Sequence, residues 1–124
     1  ATDPLFDGRW LGEGTHVTAA GSNALIRREI DEATIRRAAV IAVDARATAL
    51  RESGDLLPAL EKGRLSEYGM TELGELLVGM RPGRRGAADI TLFESQGMAI
   101  QDLVLAARVV DKARTAGLGR DLPY

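Results

Sequence analysis

Cysteine is absent from the 124 residues. That absence excludes disulfides, zinc–thiolate centres and thiolate nucleophiles, and it fits a reducing, cytoplasmic compartment. Histidine occurs once, as His16, with no second His or Cys beside it to share a metal. Aromatic residues make up 4% of the chain, so no basic stretch carries the interleaved rings of a single-stranded nucleic-acid surface. Neither sign of charge is in large excess. The net charge of -2 gives no basic field to recruit nucleic acid or an anionic membrane. No apolar run is long enough to span a bilayer. No signal-peptide pattern opens the chain. Its start, Ala1-Thr2-Asp3-Pro4, lacks an initiator Met and reads as a processed chain or as a piece of a longer one.

What is present is ordinary for a globular domain: 45% hydrophobic and 27% charged residues. A domain of this length buries roughly two thirds of the surface its unfolded chain exposes. Three short runs rich in β-branched and apolar residues stand out: Thr15–Ala20, Ala39–Val43 and Ile90–Phe93. Each ends in polar or glycine punctuation, the pattern of buried strands in a parallel sheet. Helical patterns lie between them. Asp31 is placed to cap Glu32–Arg37, and a second helix runs Ala45–Glu52 to Ser53-Gly54. A further turn or two covers Asp55–Lys62 up to Gly63, and Thr71 is placed to cap a helix through Leu77. From Met98 to about Ala116, apolar Ile100, Leu103, Val104, Ala107, Val110 and Ala113 recur at helical spacing. Strand alternating with helix requires crossover connections. The expected fold is therefore α/β, with three parallel strands flanked by helices and a long C-terminal helix.

In such sheets ligands bind beyond the carboxyl ends of the strands. The segments of interest are then Gly21-Ser22-Asn23, Asp44-Ala45-Arg46 and Glu94-Ser95-Gln96-Gly97. Gly21 allows close backbone approach, and Ser22 and Asn23 offer hydrogen-bond donors. Ser95 is placed to cap the long helix, whose N-terminus carries free N–H groups and partial positive charge. The remaining polar residues have structural readings. His16 reads as a hydrogen-bonded strand histidine, Asp44 as a helix cap, and Asp102 as a complement to the helix dipole. Arg81, Arg84 and Arg85 read as a solvated basic loop, and Leu76, Leu77 and Val78 as core.

Taken together, five stretches carry more than any one does. They are Gly14–Asn23 (G-T-H-V-x-A-x-G-S-N), Arg28–Asp31 (R-E-I-D), Val43–Leu56 (V-D-x-R-x-x-A-x-x-E-S-G-D-L), Glu72–Gly79 (E-L-G-E-L-L-x-G) and Asp89–Asp102 (D-I-T-L-F-x-S-x-G-x-A-x-Q-D). In this order and spacing they resemble the ornithine cyclodeaminase/mu-crystallin family, over nearly the whole chain.

The resemblance implies that residues 1–124 are the C-terminal part of an NAD(P)-binding Rossmann-type domain, a half-domain of a longer, homodimeric family-type chain. The glycine-rich phosphate loop and the acidic ribose-binding residue expected earlier in such proteins have no counterpart here. By the same resemblance Gly21, Ser22, Asn23, Arg27 and Ser95 would contact NAD or NADP, and Gln96 would line the pocket of a small amino or imino acid substrate. Asn23 occupies the position of the family's acid/base Asp. An Asn does not titrate, so it can hold a substrate but cannot shuttle its proton. The implied chemistry is deamination, dehydrogenation or imine reduction. A catalytically silent relative resembling mu-crystallin, or an inactive truncated fragment that associates with itself or a partner, is the alternative.

Overall fold

The computed structural model describes residues 1–120, 122 and 123. Its centre is a four-stranded sheet built from β1 (His16–Ala19), β2 (Ala38–Val43), β3 (Met70–Glu72) and β4 (Ile90–Glu94), in the order β1-β4-β2-β3. Every pairing is parallel. β4 lies inside the sheet and reads almost continuously apolar, as a strand covered on both faces must.

The expected sheet had three strands; the fourth, β3, is the correction. It spans only Met-Thr-Glu, too short and too polar to form an apolar run. It becomes a strand because the free side of β2 pairs with it, Ile41 opposite Met70 and Val43 opposite Glu72. Thr71 lies within this strand, so it does not cap the next helix. Glu72 does, in a reciprocal capping box with Glu75.

The other helices follow the sequence closely. Asp31 caps α1 (Glu32–Arg37), its carboxylate accepting from the Thr34 N–H. α2 (Arg46–Glu52) and α3 (Leu57–Glu61) come next, and α3 stops before Gly63, whose φ is 65°. α4 (Leu73–Leu77) runs to Gly79, where φ is 73°. α5 (Ala99–Thr115) ends before Gly117, where φ is 65°.

The core gathers strand residues Ala19, Ile41, Val43, Met70 and Leu92 with Ile30, Ile35, Ala49, Leu56 and Ala59 from the helical layer. Leu77 and Val78 were expected in that core but are 78% and 71% exposed. The reason is positional. α4 follows β3, an edge strand, and among the described residues no further strand lies beyond it to be covered. α5 departs further from expectation: despite its apolar face, none of its residues is buried. Among the described residues no helix is long and apolar enough to cross a membrane.

Candidate functional site

Register fixes the geometry of the site. Ala19 pairs with Glu94, Glu94 with Val43, and Val43 with Glu72, so all four strands end in one row. β1 and β4, far apart in sequence, are neighbours. The Ser95 N–H donates to the Ala19 carbonyl at 2.8 Å, continuing the ladder one step past β4. The loops Gly21–Asn23 and Ser95–Gly97 therefore leave the same end of the sheet side by side.

Three sets of bonds shape this edge. Asp44, at the end of β2, is the first anchor. Its Oδ2 accepts from Ser95 Oγ at 2.6 Å and from the Gly97 N–H at 2.9 Å, and its Oδ1 accepts from Gln101 Nε2 at 2.9 Å. Asp44 does not cap α2, whose N-cap is Ala45 with no side-chain bond. Ser95 likewise does not cap α5, whose N-cap is Met98. Both side chains are engaged with each other instead, and together they tie the β4–α5 loop to β2. Gly97, at φ 80°, allows the reversal that brings its N–H back onto Asp44.

Glu29 is the second anchor. Its Oε2 accepts from the backbone N–H groups of Ala20 at 2.8 Å and Gly21 at 2.6 Å. A Cβ on Gly21 would lie 2.5 Å from Glu29 Oε1, so the carboxylate occupies the space a side chain would need.

The third feature is a buried polar knot beneath both loops. Glu94 is fully buried, and its Oε1 accepts from three donors: Ser22 Oγ, Ser53 Oγ at 3.2 Å and Gln96 Nε2 at 3.1 Å. Asp55 is also buried and accepts from the N–H groups of Glu29 at 2.9 Å and Ile30 at 3.3 Å. Burial pushes the Glu94 carboxyl up to about 8, the charges of Asp55 and Glu29 reinforcing it and the Ser22 and Ser53 hydroxyls opposing it. Burial also raises Asp55, against the two backbone N–H groups it binds.

These contacts place the residues singled out by the sequence. All of Gly21, Ser22, Asn23, Arg27, Ser95 and Gln96 stand at or just beyond the carboxyl edge. Asn23 and Arg27 are exposed, with Arg27 Nη1 donating to Asn23 Oδ1 at 3.3 Å. Ser22 and Gln96 are buried, their side chains turned down onto Glu94. Gly54 locks the α2–α3 loop under the β1–α1 loop through its N–H to the Ser22 carbonyl at 3.1 Å. Sequence reasoning placed Glu94 in a post-strand segment, Ser53 at a helix end and Asp55 at a helix start, but did not join them. The signal was a carboxylate closing an otherwise apolar strand, Ile90-Thr91-Leu92-Phe93-Glu94, but which distant segments it would meet is not written there.

Two groups lie at the opposite, amino end of the sheet. His16 shares hydrogen bonds with Thr91 Oγ1 at 2.7 Å and Thr18 Oγ1 at 3.3 Å. Arg84 is fastened rather than freely solvated: it donates to the Asp89 carbonyl at 2.6 Å and to Thr91 Oγ1 at 3.1 Å.

Comparison with known proteins agrees with this layout. Ketimine reductase mu-crystallin of Mus musculus is 40% identical over 112 residues, 90% of this chain and 33% of that protein. Among solved structures, Thermococcus litoralis Δ(1)-pyrroline-2-carboxylate reductase in complex with NADH and L-proline superposes with a TM-score of 0.88 at 35% identity. It covers 98% of this chain and 38% of that one. An archaeal alanine dehydrogenase dimer with bound NAD superposes with a TM-score of 0.83 at 29% identity, over 100% of this chain and 38% of that one. The chain thus spans about a third of the length of the curated relatives it matches. The family model for ornithine cyclodeaminase/mu-crystallin matches residues 1–117, and the chain belongs to that family.

Proposed function

We propose that this chain is the C-terminal part of the NAD(P)-binding domain of a cytoplasmic enzyme that reduces a small cyclic or linear imino acid, or oxidises the corresponding amino acid. The observation that carries this reading is the juxtaposition of the loops after β1 and β4 at one end of a parallel sheet, joined by the Ser95–Ala19 bond. That edge is where open α/β sheets bind nucleotides. Relatives described as ketimine reductase, alanine dehydrogenase and Δ(1)-pyrroline-2-carboxylate reductase support the substrate class.

The residues present fit a nicotinamide cofactor on structural grounds. Gly97 leaves open space where a flat ring would lie, since a Cβ built there would meet no atom within 4 Å. NAD(P)H would supply the hydride. The protein would bind and orient. The Gly21–Asn23 backbone and Ser95 would flank the ring, held in place by Glu29 and Asp44. Asn23 and Arg27 would face it from solvent, and the Gln96 position would border the substrate. With their side chains turned onto Glu94, Ser22 and Gln96 would contribute mainly through the backbone.

Asn23 argues for reduction over cyclodeamination. Cyclodeamination requires a base to move protons as amino acid becomes imine, and an amide cannot do so. The same observation favours the second reading, a binding protein with little turnover. A full-length protein given NADH or NADPH with Δ(1)-pyrroline-2-carboxylate should show loss of nicotinamide absorbance. Cofactor binding without turnover on any cyclic or linear imino acid would select the second reading, and no binding of either cofactor would defeat both.

The lyase activity of the family's cyclodeaminases is the less favoured chemistry here. The proposed assembly is a homodimer, the state in which the alanine dehydrogenase relative is described, and the rest of the domain or a second copy would cover the exposed α5 and the free side of β1.

A further inference from the structure

The knot under the two site loops has an imbalance that its hydrogen bonds do not resolve. Glu94 Oε1 takes three donors, whereas Glu94 Oε2, Asp55 Oδ2 and Gln96 Oε1 are buried with no partner among the described residues. Three acceptors with no donor, two of them on carboxylates, would be costly in a site closed to water. One added proton removes most of the conflict. It neutralises one of two neighbouring acids and turns an orphan acceptor into a donor, for which the Asp55 and Gln96 oxygens are the acceptors left over. The charged groups facing the knot do not offer another solution. Asp55 and Glu29 repel a charge on Glu94, and Arg28 acts on Asp55 from outside.

We propose that Glu94 is a protonated, neutral acid that acts as a positioning residue for the nicotinamide-binding edge. It joins the loop after β1 through Ser22, the loop after α2 through Ser53 and the loop after β4 through Gln96, and it does so only while it holds its proton. When the carboxylic acid gives its proton to water, a second buried charge appears beside Asp55. The knot then opens, and Gly21–Asn23 and Ser95–Gly97 lose their common support. Burial that raises the Glu94 carboxyl to about 8 puts this loss just above neutral pH. The link to cofactor rests on the function proposed above; the proton itself does not.

The test uses the full-length protein and its Glu94→Gln variant, in which an amide imitates the neutral acid. Infrared spectra with isotope-labelled glutamate should show a protonated carboxyl at pH 6 that disappears as pH rises through about 8. Amide hydrogen exchange at Ser22, Asn23 and Ser95–Gly97 should accelerate over the same range beyond the ordinary base-catalysed trend in the wild type, and not in the variant. If only the protonated form binds, NADH affinity should fall by about tenfold between pH 7 and pH 9 in the wild type and stay level in E94Q. Absence of a protonated glutamate at pH 6, or equal pH responses in the two proteins, would overturn the proposal. Failure to bind NADH at any pH would instead defeat the functional reading, while the infrared and exchange data would still decide the state of Glu94. Should E94Q not fold, the wild-type infrared and exchange titrations must coincide, and a mismatch between them sinks the idea.

Discussion

Glu94 departs furthest from its ordinary behaviour, and it affects stability as well as site geometry. Its folded carboxyl sits at about 8 against 4.5 for the free group. A raised folded value contributes stability that is fully present below the unfolded value and is lost as pH climbs through the folded one. Between pH 5 and about 8 the unfolding free energy should therefore fall by up to about 1.4 kcal/mol per pH unit for this one proton. Asp55 is raised too, so it adds in the same direction. Asp7, Asp31, Glu75 and Asp89 are held below the usual carboxylate range, so their titration lies at more acid pH than that window. Urea unfolding across that window should show the slope in the wild type and a much flatter line in Glu94→Gln.

Gly54 gives a second test at this scale. A Cβ there would lie 1.9 Å from the Arg27 carbonyl, a contact no rotamer can relieve. Gly54→Ala must push the β1–α1 and α2–α3 loops apart, at a cost of about 1–3 kcal/mol. It should lower the melting temperature and weaken cofactor binding together.

Among the elements, the β4–α5 connection shows how a strand end can organise a loop. Asp44 directly follows β2, yet its three bonds all go to residues after β4. Asp44→Ala leaves a hydroxyl, an N–H and an amide without their charged acceptor. The expected loss is on the order of 2–3 kcal/mol, measurable by denaturant titration. Asp44→Asn, which keeps an oxygen at the position, should recover part of it. Gly97→Ala should cost about 1 kcal/mol, because φ 80° is strained for a residue with a Cβ although the space around it is open. A larger loss would mean that the loop backbone is more tightly enclosed than it stands here.

α1 and α5 contrast in how far sequence speaks for an element. α1 carries its own cap at Asp31, and sequence and structure agree to the residue. α5 shows its start and stop in the sequence as well, but its apolar face has no surface to meet within these residues.

For the whole molecule, that exposed helix and the free side of β1 dominate. Ile100, Leu103, Val104, Leu105, Val109 and Val110 are each at least 45% exposed. An exposed apolar stripe of this kind and an unpaired strand edge each promote association. A protein of these 124 residues alone should sediment as more than a monomer. Leu103→Glu with Val110→Glu should shift it toward monomer while the circular dichroism of the sheet persists. A clean monomer before substitution would refute this expectation.

Short-range chemistry was legible in the order of residues alone. The positions of β1, β2 and β4, the helices between them, the Asp31 cap and the glycine stops all follow from local propensity and periodicity. So does the family, because its motifs are contiguous strings. Tertiary structure alone decided the rest. β3 became a strand because β2 had a side to offer. Asp44 and Ser95 bound each other rather than the helices beside them, and Leu77 and Val78 stayed in solvent because the sheet ends beneath them. Glu94 met Ser22, Ser53 and Gln96 because parallel register set Ala19, Glu94 and Val43 in one row. That register joins segments 72 and 41 residues apart. No window along the chain contains such a meeting, since its energy comes from burial and pairing that exist only after the sheet has formed.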